Sequence, residues 1–177
     1  RKIGSVGLPI WGVQVKVIND KFIEVPCYVV GQIIFKGHNV MKGYFNNEEE
    51  TKKAIKNGWM HSGDLGYKDD QGYLFVVDRM NDMIIRGGVN IYPREIEELI
   101  IKHPKISLVA VVGIPDQRMG EEIMAYVILN KDQEMSKAEL KSWVKGKVAA
   151  NKYPRKIEFV KELPMNATGK ILKRKLN

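Results

Sequence analysis

Apolar and polar residues alternate through Val13-Gln14-Val15-Lys16-Val17-Ile18, after which the chain meets Asn19-Asp20. A period of two followed by turn-forming residues predicts a half-buried β-strand and a turn. Val29-Val30 and then Gln32 to Phe35, broken by Gly31 and Gly37, predict the next strand. Asn47, the acids Glu48 to Glu50 and Thr51, followed by Lys52 to Lys56, predict a short helix. Asn47 caps it, acids occupy its first turn and bases its last, and Asn57-Gly58 stops it. Asp69-Asp70-Gln71-Gly72 predicts a turn that joins Leu65-Gly66-Tyr67 to a strand from Tyr73 to Val77, forming a hairpin.

After Asp78 the rhythm changes. Pro93 suits the first turn of a helix running through Ile96, Leu99 and Ile100 to Lys102, ended by His103-Pro104. Two strands follow, Leu108 to Ile114 and Ile123 to Leu129. Ser136 and Glu139 have capping-box spacing, and Leu140, Val144 and Val148 line one helical face. Ile157 to Val160 predicts a third strand, followed by a loop and the basic tail Lys170 to Lys175. Residues 80–177 therefore read as a compact α+β unit without internal repeats.

Composition narrows the class. The 177 residues carry a net charge of +8, 44% hydrophobic and 28% charged residues, an ordinary globular balance. No apolar run approaches the roughly 20 residues that span a bilayer, so no transmembrane segment is expected. A single cysteine, Cys27, excludes an internal disulfide framework and fits a reducing compartment. The expected location is therefore the cytoplasm, with peripheral membrane association left open. The chain starts at Arg1 in the middle of a strand-like pattern, from which it is expected to be the back end of a longer protein. Charge is uneven: residues 1–79 hold 11 basic and 9 acidic residues, residues 80–177 hold 18 and 12.

The candidate chemistry lies in loops. His38, His61, His103 and Cys27 never fall at metal-ligand spacing on one element, so no metal site is expected. His61-Ser62 with Asp64 suggests a triad, but adjacent side chains on an extended segment diverge and cannot face each other. Asp64 is flanked by Gly63 and Gly66. It reads either as an acid accepting both hydrogens of a ribose diol or as an Asx-turn residue. Arg79 at a strand end could hold a sugar or phosphate, or form a salt bridge with Asp78 or Asp82. Arg86-Gly87-Gly88 allows a close backbone approach or a left-handed turn. Gly169-Lys170 lacks the other residues of a phosphate-binding loop, leaving a lysine on a flexible Gly/Thr loop.

Four stretches agree in sequence and order with one family. They are Gly31-Gln32-Ile33-Ile34-Phe35-Lys36-Gly37 continuing to Gly43-Tyr44-Phe45; Gly58-Trp59-Met60-His61-Ser62-Gly63-Asp64-Leu65-Gly66; Asp78-Arg79 through Gly87-Gly88-Val89-Asn90-Ile91-Tyr92-Pro93-Arg94-Glu95-Ile96-Glu97; and Leu163-Pro164 through Thr168-Gly169-Lys170-Ile171-Leu172. Together they resemble the adenylate-forming (ANL) superfamily of acyl-CoA synthetases, peptide-synthetase adenylation domains and luciferases, over essentially the whole chain. The resemblance implies an α+β fold. Residues 1–80 would form the last β-rich, distorted barrel-like subdomain of a large N-terminal domain. Residues 81–177 would form its mobile C-terminal domain, a short sheet flanked by helices.

The resemblance also implies residue roles. Asp64 matches the acid that holds the ATP ribose, and Arg79 its partner on the same sugar. Lys170 matches the lysine that reaches the carboxylate and α-phosphate. Arg86-Gly87-Gly88 matches the loop that swings in for the coenzyme A pantetheine arm. Asn81 stands at the hinge, where the family usually has Asp or Lys. ATP and coenzyme A are the implied co-substrates, with Mg²⁺ bound mostly by an upstream part. The implied partners are a small carboxylic acid and the chain's own missing N-terminal domain, without which this segment is inactive. The ending Ala167 to Arg174 looks like that of a CoA ligase, and a medium- or long-chain fatty acid is the expected substrate. An aryl or short-chain acid, and a non-catalytic interaction domain, are the alternatives. The basic tail suggests nucleic-acid binding, but no aromatic residues interleave with the bases and no such partner is expected.

Overall fold

In the computed structural model, which describes residues 2–176, the chain divides into two units, residues 1–81 and 82–177. The first unit is a five-stranded sheet. β1 (Gln14–Ile18) pairs antiparallel with β2 (Gly31–Lys36), which pairs antiparallel with β4 (Trp59–Lys68). β4 also pairs with β3 (Ile55–Lys56) and β5 (Leu74–Arg79). Val17, Ile18, Ile33, Ile34 and Leu65 are its buried apolar residues.

The short helix α1 (Glu48–Ala54) begins at Asn47, whose side chain accepts from the Glu50 N–H. It ends earlier than its charge pattern predicts. Asn57 and Gly58 have φ of 51° and 77°, the two positive values of a type I′ hairpin turn. That turn pairs Ile55 with Met60 and Lys56 with Trp59, so the β-branched Ile55 and Lys56 leave the helix to become β3. The β4–β5 turn is organised by the buried Asp69. Its Oδ1 accepts from the N–H groups of Gln71 and Tyr73, and Lys2 pairs with its other oxygen. Tyr67 stacks on Phe75 directly across this hairpin, with ring centroids 4.9 Å apart.

The second unit is built around β9 (Gly120–Leu129). β8 (Ile106–Asp116) pairs antiparallel with it from end to end. The other edge takes β10 (Lys156–Phe159) in parallel and, at Gly120, the end of β6 (Ile84–Arg86). β6 forms a hairpin with β7 (Val89–Ile91). Helices α2 (Pro93–Ile100) and α3 (Lys137–Lys145) bury Ile96, Ile100, Leu140 and Val144 against Val109, Val111, Ala125 and Val127. Ser136 caps α3 by accepting from the Glu139 N–H. Ala110, Val112 and Met124, on the opposite face of the ladder, are buried too, which explains the unbroken apolar run in β8. None of the described helices is long and apolar enough to cross a membrane.

Candidate active site

Asp64 and Arg79 stand opposite each other in the β4–β5 ladder because a bulge sets the register. Leu65 pairs with Asp78, but the next step pairs Gly66 with Val76, leaving one extra residue on β5. Gly66 permits this close approach, since a Cβ there would lie 2.2 Å from the Phe75 carbonyl oxygen. Ser62 Oγ donates to the Ile33 carbonyl and accepts from the Asp64 N–H at 3.0 Å. The Arg79 N–H donates to the buried Asp78 carboxylate at 2.7 Å.

The two side chains engage each other loosely. Arg79 Nε is 3.7 Å from Asp64 Oδ1, beyond hydrogen-bond range, with 59% of the arginine and 32% of the aspartate side chain exposed. Such a pair contributes at most about 1 kcal/mol, so redirecting either group to a ligand costs little. A carboxylate accepts both hydrogens of a vicinal diol, and a guanidinium offers a fixed fork of donors. The Asx-turn acid of this unit is Asp69, whereas Asp64 lies within β4. His61 Nδ1 lies 3.0 Å from Gln32 Oε1 and Ser62 is committed to the Ile33 carbonyl, so the two form no catalytic pair.

The remaining candidates belong to the second unit, apart from Asn81. That residue is exposed, within a 3₁₀ turn over Met80–Asp82, and the division between the units falls directly after it. Gly87 and Gly88, with φ of 57° and 78°, make the two-residue turn between β6 and β7. A Cβ on Gly87 would lie 2.6 Å from Met119 Cε, while one on Gly88 would meet nothing within 4 Å. Arg86 points inward. Its Nε and one terminal nitrogen donate to the two carboxylate oxygens of Glu122 at 2.7 and 2.9 Å. Burial works to raise the Glu122 pKa, but the hydrogen bonds from Arg86 and the Ile123 N–H hold it below the ordinary value.

Lys170 is exposed on a turn that Asn166 builds. Asn166 Oδ1 accepts from the Thr168 N–H, the Thr168 hydroxyl and the Lys170 N–H, the last at 2.8 Å. The Asn166 N–H donates to the Lys170 carbonyl, and Gly169 closes the turn at φ 78°. The loop expected to be flexible is thus internally hydrogen-bonded, because Asn-x-Thr-Gly supplies an Asx turn followed by a left-handed position. The basic tail is also anchored. Lys173 Nζ lies 2.7 Å from Glu97 Oε1, which also accepts from the Val111 N–H, and the Tyr126 hydroxyl donates to the Leu176 carbonyl.

Sequence reasoning missed Ser62, Glu97, Glu122 and Asn166. Of these, Asn166 and Ser62 carry a local signal, each accepting from the N–H two residues on, whereas Glu97 and Glu122 take their charged partners from distant parts of the sequence. Among the described residues no group of three or more His, Cys, Asp or Glu side chains could hold a metal ion.

Residues 95–170 match the C-terminal domain of AMP-binding enzymes, and residues 1–45 match the AMP-binding enzyme family itself. The chain belongs to the adenylate-forming superfamily. Among the superfamily's members, 2-succinylbenzoate–CoA ligase of Bacillus cereus (strain ATCC 10987 / NRS 248) is 43% identical over 175 residues, covering 99% of this chain and 36% of that protein. The solved structure of o-succinylbenzoate CoA synthetase (MenE) from Bacillus subtilis, in complex with the acyl-adenylate intermediate OSB-AMP, is 39% identical with a TM-score of 0.92. It covers 99% of this chain and 36% of that one. The same synthetase has been solved with ATP and magnesium ion. ATP-bound MatB from Rhodopseudomonas palustris is 36% identical with a TM-score of 0.91, over 98% of this chain and 35% of that one.

The chain therefore spans about a third of the length of the relatives it matches. The relatives named here for an acid are 2-succinylbenzoate ligases, so they lend no support to the expectation of a medium- or long-chain fatty acid or of a place in fatty-acid metabolism.

Proposed function

We propose that this chain is the C-terminal part of an AMP-forming acid–CoA ligase whose acid is aromatic, of the 2-succinylbenzoate kind. The observation that carries this reading is 43% identity to a 2-succinylbenzoate–CoA ligase across 99% of the chain. The exposed apolar residues Ile3, Trp11 and Phe45 support an upstream domain that covers them in the whole enzyme.

In the first half-reaction a carboxylate oxygen of the acid attacks the α-phosphorus of ATP, forming acyl-AMP and releasing pyrophosphate. Asp64 accepts the ribose hydroxyls and Arg79 contacts the same sugar. The Lys170 ammonium stands by the reacting oxygen and the α-phosphate, offsetting the repulsion of two anions as they approach. Residues 82–177 then turn about Asn81, withdrawing Lys170 and bringing in the Gly87-Gly88 turn beside the pantetheine arm. The coenzyme A sulfur attacks the acyl carbon and the bond to AMP breaks. One rigid arrangement cannot serve both steps, whereas a hinged body supplies each in turn. Mg²⁺ enters no step assigned to these residues.

ATP–pyrophosphate exchange by the full-length enzyme, over a panel of aromatic, short-chain and fatty acids, tests the reading. Exchange with an aromatic acid, falling at least ~100-fold in Lys170→Ala, is expected. No exchange with any acid, from a folded chain that binds ATP, overturns it in favour of a non-catalytic interaction domain.

A further inference from the structure

The β6–β7 hairpin is held to its sheet by little backbone pairing. β6 has three residues and meets β9 at one register position, Arg86 opposite Gly120. Side chains provide most of the rest. After Gly120, β9 carries two consecutive acids, whose side chains leave a strand on opposite faces, yet both engage β6. Glu121 accepts from the Ile85 N–H at 2.5 Å, and Glu122 takes the Arg86 guanidinium in a two-point clasp of 2.7 and 2.9 Å. Both partners of the clasp are about nine-tenths buried. The Gly87 N–H adds a bond to the Met119 carbonyl at 2.8 Å. The turn containing Met119 is itself fixed by Asp116, which accepts from the N–H groups of Arg118 and Met119.

A planar fork on a carboxylate fixes both distance and orientation, whereas an apolar contact of the same area permits sliding. Buried ion pairs add little net stability over apolar replacements, so their distinctive contribution is to geometry. Here that geometry belongs to the residue immediately before Gly87-Gly88, a turn with one glycine packed on Met119 and the other open to solvent.

We propose that Glu122 is a positioning residue for thioester formation: through Arg86 it holds the Gly87-Gly88 turn in the pose that admits the pantetheine arm. This rests on the reading of that turn given above. It makes no demand on adenylation, which draws on Asp64, Arg79 and Lys170.

The test uses the full-length enzyme and follows the half-reactions separately, as ATP–pyrophosphate exchange and as single-turnover thioester formation from preformed acyl-AMP. In Glu122→Gln, thioester formation is expected to slow at least ~10-fold while exchange stays within about twofold. The reversed pair Arg86→Glu/Glu122→Arg is expected to recover part of the loss. Where Glu122→Gln melts below the assay temperature, Arg86→Met/Glu122→Leu fills the same space without a buried charge and reads the same split. Equal losses in both half-reactions by folded variants, or undiminished thioester formation, overturn the proposal. Absence of exchange in the unmutated enzyme instead overturns the reading on which it rests.

Discussion

The two units solve the problem of burial in opposite ways. Residues 82–177 surround β9 with structure, sending Ile84, Ile91, Ile96, Ile100, Ile123, Leu140 and Val144 into one cluster, each essentially inaccessible. Residues 1–81 bury only a short apolar set in their sheet. They leave Ile3, Val6, Leu8, Ile10, Trp11, Phe22, Ile23 and Phe45 exposed. On the function proposed above, residues 82–177 change neighbours during the reaction and must carry their own core, whereas residues 1–81 keep one partner and can share a core with it. The contrast leads us to expect that the second unit is thermodynamically self-contained and the first is not.

Separating the units tests this contrast most severely. Residues 82–177 alone are expected to unfold in one cooperative thermal transition, and residues 1–81 alone to show none by circular dichroism. A cooperative transition in the isolated first unit would break the comparison. Point changes sharpen it. Ile96→Ala removes fully buried apolar volume and is expected to cost about 2–5 kcal/mol in denaturant unfolding. Phe45→Ser, on a side chain 93% exposed, is expected to stay within about 0.5 kcal/mol in the same chain.

The two capped helices offer a gentler version. Ser136 and Asn47 each accept from an N–H three residues on, but α3 buries Leu140 and Val144 while α1 buries nothing. Ser136→Ala should therefore lower global stability by about 1 kcal/mol. Asn47→Ala should only fray α1, seen as faster local amide exchange without a change in the global transition.

The smallest effect is with pH. Burial holds the His103 pKa below its ordinary 6.5, with Lys105 and Lys147 acting in the same direction and Glu139 opposing. Its ring meets the edge of Trp143, and its Nδ1 accepts from the Lys105 N–H. Below pH 6.5 the unfolded chain therefore binds a proton that the folded chain does not, so stability declines as pH falls through that value towards the folded pKa. Melting of residues 82–177 at about pH 7.5 and about pH 5.5 should show this decline, with a shallower slope in His103→Gln.

Much of the architecture was legible because its causes are local. Asn47 and Ser136 mark helix starts by hydrogen bonds to residues three positions away, Pro93 opens α2, and Asp69 closes its own turn. Even so, Ile55 and Lys56, helical by their charge pattern, form a strand. A helical charge pattern and a hairpin-forming Asn57-Gly58 compete there, and pairing with Trp59 and Met60 decides the contest. Motifs nominate Asp64, Arg79, Gly87-Gly88 and Lys170, while the polar groups that set them in place are largely invisible in the sequence.

By itself, then, the sequence determined the family and the α+β class and nominated the side chains proposed to meet an adenylate, since motif spacing and periodicity are properties of a line. Only the tertiary structure decided that a bulge opposite Gly66 brings Asp64 to Arg79, that Arg86 turns inward to Glu122, and that Lys173 is tied to Glu97. Those pairings join positions 15, 36 and 76 residues apart. No local preference encodes such distances, so they follow from strand register and from the need to partner charge wherever it is buried.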